Sequence, residues 1–342
     1  MYMLSCTDGY EYPSEPGSPT YVLEVMPVAA GLAAIASDQS LCLFDPLRLN
    51  QGPIRKIRTN HGNLTCAKAY SVAESTVATT GEDGTVSFWD LRINDSNAQV
   101  HRIGGGGPSL LSLARAGQTD TLATGTELSD QLHQASIQIW DLRSAVAPKV
   151  QYDEVHSDDV TELVFHPENP ALLLSGSTDG LVNICDTRIS DEDEVVIQAF
   201  NHGSIHHAGF LNTTEVYALS HDEKFALYDM AEDQIEKGAA TQDFGDARAQ
   251  LQCQYVANVF PKLNGAGAII GAGSQDKELF QLIHLSRTGV EGVRWNFDAE
   301  TVVGLPGAHG NEIVRSFCFY DEHQLAITAG EDGCIKAWRP SS

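Results

Sequence analysis

The chain has 342 residues, with 21 Lys and Arg against 46 Asp and Glu, for a formal net charge of −25. Hydrophobic residues make up 42% and charged residues 20%, which excludes a disordered or fibrous class, and the length excludes any need for metal or disulfide staples. So acidic a chain lacks the basic footprint of phosphate-led nucleic-acid binding and suits a basic partner instead.

From the first residue onward, Met1 to Gly17 has neither the basic nor the apolar region of a signal peptide. The longest mostly apolar run, Val25 to Ala36, holds Pro27 and Gly31 and is too short to span a bilayer. A short alternating segment then ends in an aromatic and an acid, Ser40 to Asp45, and it recurs as Val86–Asp90, Ile137–Asp141, Val182–Asp186 and Phe225–Asp229. The closing acids lie 43 to 51 residues apart. Weaker copies follow at Leu279–Ile283 and Cys334–Trp338, making seven units, each long enough for four short strands. Before the repeated strand sit turns rich in Asp and Gly, such as Glu82-Asp83-Gly84, Thr178-Asp179-Gly180 and Glu331-Asp332-Gly333. No sustained helical period interrupts them, so the chain reads as all-β and as one domain over residues 1–342.

The last unit supplies three strands, at about Ile313–Tyr320, Leu325–Gly330 and Cys334–Arg339. Its fourth must come from elsewhere, and Tyr2–Cys6 is the available candidate. Other local features have structural readings. Arg48, Arg55, Lys56 and Arg58 read as a solvated strand edge. Gly104–Gly107 and Gly265–Gly273 lack the helix start of a phosphate cradle. Glu127–Gln134 lengthens the third unit's turn. His206-His207 has no third ligand at a recognisable spacing, so no metal is expected there. Seven scattered Cys without a C-x-x-C pair suit a reducing compartment, so cytoplasm, nucleus or both are expected.

These units strongly resemble the WD40-repeat family, which implies a seven-bladed β-propeller closed by the N-terminal strand. In that family a His, a strand hydroxyl, a turn Asp and a Trp share hydrogen bonds within a blade. His61, Thr79, Asp83 and Trp89 match this set, as do His309, Thr328, Asp332 and Trp338. His156, Ser175 and Asp179 match with Cys185 in place of the Trp, while the fifth and sixth units are degenerate. The segment Gly310–Phe319 leading into Ala329–Gly333 is similar to the WD repeat-containing protein 89 group of that family.

No catalytic motif appears, and no cofactor, nucleic acid or membrane is expected. The family geometry puts the loops entering each unit on one rim with the Asp-bearing turns. That rim would carry Glu82, Glu127, Asp130, Asp158, Asp159, Glu223, Glu312 and Glu331, an acidic face for a basic protein partner. The resemblance extends to acidic chaperones of nascent ribosomal proteins and histones. On the other rim, Trp89-Asp-Leu-Arg92 and Trp140-Asp-Leu-Arg143, with Arg188 after Asp186, resemble the W-D-x-R box of cullin-4 ligase receptors. The alternative to a binding module is therefore a ligase substrate receptor docking through Arg92, Arg143 and Arg188; a monomer is expected in either case.

Overall fold

Strand β1 (Tyr2–Glu11) is separated from the rest of its sheet by nearly the whole chain. Blade 1 follows as β2 (Val22–Val28), β3 (Gly31–Ala36), β4 (Ser40–Phe44) and β5 (Arg55–Arg58). Blade 2 is β6 (Leu64–Ser71), β7 (Thr76–Gly81), β8 (Thr85–Asp90) and β9 (Gln99–Gly104). Blade 3 is β10 (Leu110–Arg115), β11 (Thr121–Thr126), β12 (Ile137–Asp141) and β13 (Val150–Tyr152). Blade 4 is β14 (Val160–Phe165), β15 (Leu172–Ser177), β16 (Leu181–Asp186) and β17 (Val196–Asn201). Blade 5 is β18 (Ile205–Phe210), β19 (Glu215–Ser220), β20 (Lys224–Asp229) and β21 (Gln242–Asp246). Blade 6 is β22 (Tyr255–Pro261), β23 (Ala268–Ser274), β24 (Leu279–Thr288) and β25 (Arg294–Pro306). Blade 7 is β26 (Val314–Tyr320), β27 (Leu325–Gly330) and β28 (Cys334–Pro340), with β1 as its fourth strand. This computed structural model describes residues 1–14, 17–117, 119–129, 133–144, 146–230, 238–262, 265–288 and 294–340.

The first strands pack side by side in the order β2, β6, β10, β14, β18, β22, β26 and back to β2. An apolar cluster fills each junction between neighbouring blades. Val86, Phe88, Leu113 and Trp140 join blades 2 and 3, and Val25, Phe44, Cys318 and Ile335 join blades 1 and 7. Burial is therefore spread around a ring rather than gathered at one centre, and each blade is stabilised by its two neighbours.

All seven first strands carry a bulge near their start, directly after the first residue at Leu23, Thr65, Leu111, Thr161, His206 and Arg315 and after the second at Ala257. The extra residue has no cross-strand partner and bends the strand near the rim. Tight turns follow from their chemistry. Asp83 accepts the backbone N–H of Thr85 at 3.1 Å, and Asp332 that of Cys334 at 3.0 Å. Gly84 and Gly333 turn at φ 66° and 75°, where a Cβ would meet a backbone oxygen at 2.9 and 2.6 Å.

β1 runs antiparallel to β28 from Leu4 opposite Pro340 to Glu11 opposite Cys334, a longer pairing than Tyr2–Cys6. Tyr2 and Met3 also pair in parallel with Val303 and Gly304 of β25, so one strand joins blades 6 and 7 into an eight-stranded sheet. The inserted turn of blade 3 is pinched by a bridge between Ser129 and Gln134. The seven cysteines are free, and Cys42, Cys66, Cys185 and Cys318 are buried.

Candidate interaction faces

Within blades 2 and 7 the polar side chains form one chain of hydrogen bonds. With His61 Nδ1–H donating to Asp83 at 2.9 Å, Nε2 accepts from the Thr79 hydroxyl at 2.8 Å, and that oxygen accepts from Trp89 Nε1 at 2.7 Å. His309 repeats this with Asp332 at 2.6 Å, Thr328 at 2.8 Å and Trp338 at 2.8 Å. In blade 4, His156 meets Asp179 at 2.9 Å and Ser175 at 2.8 Å, and Cys185 sits where the indole would. Burial pushes the Cys185 thiol up to about 12, so it is an inert filler rather than a nucleophile. Burial alone would raise the turn carboxyls. For Asp83 and Asp179 the hydrogen bonds from His61 and His156, together with the imidazole charge and the bonds from Thr85 or from the Leu181 and Ser157 N–H groups, outweigh it and hold both below the ordinary carboxylate range.

The His–Asp contacts tie the loop entering a blade to the turn between its second and third strands, so both loop sets share a rim. Glu82, Glu127 and Glu312 are exposed on that rim, and Asp158 and Asp159 are half-buried. Glu82 also caps the Asn63 N–H at 3.0 Å, and Asp159 accepts from Leu128 N at 2.7 Å. Asp130 lies outside the described residues. Two members of the expected set are engaged inward. Glu223 is 9% exposed and accepts the Val256 N–H at 3.0 Å, a strut between blades 5 and 6, and burial raises its carboxyl. Glu331 is held by Arg315 at 2.8 Å. Nearby cations are similarly engaged: Arg102 reaches Asp83 at 2.5 Å, and Lys336 lies 3.4 Å from Asp332. Lys224 and Lys277 remain exposed there, and Arg248, also exposed, forks onto Asp246 at 2.7 Å.

On the opposite rim each arginine after the repeated acid folds back onto it. Nε and NH2 of Arg92 donate to Asp90 at 2.9 and 2.7 Å, and Arg143 does the same to Asp141 at 2.9 and 2.6 Å. Arg188 forks onto Asp186 at 2.8 and 2.5 Å. The hydrogen bonds from Arg143 hold Asp141 at about 2. The guanidinium faces stay open to solvent, but their inner edges are already satisfied.

Several features carry no linear signal. Glu24 accepts from Ala67 N at 3.2 Å and lies 3.5 Å from Lys68, while Glu162 meets His207 at 3.1 Å. These pairs cross between neighbouring first strands, β2 to β6 and β14 to β18. His206 stacks on His221 with centroids 5.0 Å apart, and burial, then the charges of His207, His221 and Arg315, press its pKa down to about 3. Among the described residues no His, Cys, Asp and Glu group is arranged to hold a metal. The acidic run at Asp191–Glu194 is partly structural, since Glu192 accepts the N–H groups of Asp153 and Glu154 at 2.7 and 2.6 Å.

The WD domain, G-beta repeat family matches residues 52–90, 149–186 and 300–339. An uncharacterized WD repeat-containing protein of Saccharomyces cerevisiae is 34% identical over 255 residues, covering 74% of this chain and 61% of that one. Another from Schizosaccharomyces pombe is 31% identical over 275 residues, covering 77% of this chain and 79% of its own length. A WD repeat-containing protein 89 homolog from Dictyostelium discoideum is 25% identical over 239 residues, 69% of this chain and 60% of that one. In three dimensions a chain of a mitotic checkpoint complex superposes with a TM-score of 0.71 at 15% identity, over 99% of this chain and 92% of that chain. No helix among the described residues is long and apolar enough to cross a membrane.

Proposed function

The chain belongs to the WD-repeat family, whose members serve as protein-interaction scaffolds, and from that premise we propose that its acidic rim captures a Lys/Arg-rich segment of a partner protein. The observation that carries this reading is the imbalance on that rim. Glu82, Glu127 and Glu312 stay exposed beside Asp158, whereas Arg102 and Arg315 are absorbed by internal pairs and the exposed Lys224, Lys277 and Arg248 are confined to blades 5 and 6. A net charge of −25 then adds a long-range negative field that speeds encounter with a basic partner. Free thiols at all seven cysteines support a reducing compartment, cytoplasm or nucleus.

Protamine and core histones are suitable probes, titrated at low and physiological salt. Reversing Glu82, Glu127 and Glu312 to Lys weakens binding at least about tenfold, and the wild-type affinity falls steeply with salt. Reversing Asp191, Asp193 and Glu194 to Lys changes the net charge equally in another loop and leaves binding near wild type. Equal losses from both triple variants would reduce the effect to net charge and end the rim assignment.

A further inference from the structure

On the rim opposite the acidic face, the first strands of blades 2, 3 and 4 open into a cavity of about 650 Å³. Its position follows from the lining, which takes in Val72 from the β6–β7 connection, Arg115 at the end of β10 and Phe165 at the end of β14. The wall is largely apolar, through Ala114, Leu163 and Phe165, and Val72 stands 55% exposed at the lip. That volume is ample for two or three side chains of a bound segment.

The charges in this cavity are of two kinds. Lys68 is turned to Glu24, and Glu162 to His207. Arg115 has another arrangement. Its guanidinium lies 3.9 Å over the Tyr70 ring, NH1 donates to the Tyr70 carbonyl at 2.6 Å, and Nε donates to Thr119 O at 3.2 Å. Among the described residues it pairs with no carboxylate, although Arg102, Arg287 and Arg315 all do. Two backbone carbonyls and an aromatic face therefore fix the group in place. Both protons of NH2 and one of NH1 are left to donate, the fork that grips a carboxylate bidentately. Little side-chain entropy remains to be lost when a ligand arrives.

We infer that this cavity docks an acidic–apolar peptide segment of a second protein, with an Asp or Glu carboxylate on Arg115 and neighbouring large apolar side chains against Val72 and Phe165. Charge complementarity selects the occupant, since a buried-edge cation on an apolar wall is unmatched until an anion reaches it. The site is opposite in sign and in rim to the acidic face, so the ring would hold two chemically different segments at once.

The test is a selection from a phage-displayed random-peptide library on immobilised full-length protein, followed by fluorescence polarisation with a synthetic copy of the most enriched peptide. Enriched sequences place Asp or Glu beside Leu, Ile, Phe or Trp. Arg115→Glu weakens that peptide at least about tenfold, and so does Val72→Asp, an exposed position whose change leaves melting unaltered. The triple Lys variant of the acidic rim binds it as wild type does, which separates failure here from failure there. No enrichment, an enriched motif without an acid, or unchanged affinity in either cavity variant would overturn the assignment.

Discussion

Blades 6 and 7 share strand β1 and yet are held together by different chemistry. Blade 7 has the full chain of Trp338, Thr328, His309 and Asp332, each polar atom meeting the next. In blade 6 the corresponding strand positions are Ala272 for the hydroxyl and Ile283 for the indole, both in an apolar cluster. The network has been removed together with its partners, so no donor is left stranded, and such an exchange costs little. Blade 6 adds instead a long β24–β25 hairpin that reaches across blade 5. There Trp295, 4% exposed, donates to Glu215 at 2.8 Å, stacks against Arg287 and exchanges hydrogen bonds with Gln242. Blade 5 is intermediate: with Ala218 in place of the hydroxyl, His202 turns to Tyr228 OH and the Lys224 carbonyl, both at 2.9 Å. A network binds a blade internally, whereas an extended hairpin binds it to its neighbour.

The largest expected effect comes from the strand that both blades use. Deleting residues 1–11 strips β28 of its antiparallel partner and β25 of its parallel one, and uncovers an edge strand. Melting falls by several degrees and the protein aggregates on heating. An unchanged melt would show that the two blades hold without β1.

Next in size are the two tryptophans. Trp338→Ala costs about 3–5 kcal/mol for a fully buried ring and also leaves the Thr328 hydroxyl with one partner fewer. Trp295→Ala falls in the same range for the ring alone, but the damage is placed differently. Hydrogen exchange should rise in blade 5 as well as blade 6 for Trp295→Ala, and stay within blade 7 and its neighbours for Trp338→Ala. Identical exchange patterns would erase the contrast between internal and bridging support.

Much of blade 7 is legible in the linear chain and little of blade 6 is, for a physical reason. His309, Thr328, Asp332 and Trp338 fall at spacings fixed by strand length and turn type, so residue identity alone exposes the network. Trp295 reaches a partner 80 residues away, on a different blade, and nothing local marks it. The acidic rim divides the same way. Glu82, Glu127 and Glu312 are exposed. Glu223 is drawn inward by the Val256 N–H, from the next blade, and Glu331 is neutralised by Arg315, the bulged residue of its own blade's first strand, whose direction no spacing marks. Nothing in the linear chain marks Arg115, whose guanidinium the fold sets over Tyr70.

A smaller effect separates the blades by pH. Burial depresses the imidazoles of His61, His202, His206 and His284, with His206 in blade 5 the lowest at about 3. In the unfolded chain each takes a proton near pH 6.5, while the fold keeps it neutral further down, so the unfolded state binds more protons and stability falls as pH drops from 7 toward 5. His206 contributes up to about 1.4 kcal/mol per pH unit of that slope. His206→Asn should flatten the decline in melting temperature measured between pH 7 and 5. An unaltered slope would mean that this imidazole takes up its proton in the folded state.

Smallest is the effect of Arg92→Ala combined with Arg143→Ala, in two blades of the regular type. Both arginines are exposed, and each completes a fork onto the acid two residues before it, Arg143 lying also 4.0 Å from Asp120. Screened surface pairs of this kind shift melting by no more than about 2 °C. A larger drop would make the forks part of what distinguishes regular blades from blade 6, whose repeated strand carries no such acid–arginine pair. With folding nearly untouched, the same variant also isolates recognition, because the open guanidinium faces are removed while both rims and the Arg115 cavity stay intact. Loss of a cullin-4 adaptor from pull-downs by this variant alone would assign the faces to docking. Equal recovery, or none from either protein, leaves the arginines as strand-end locks whose partner is the chain itself.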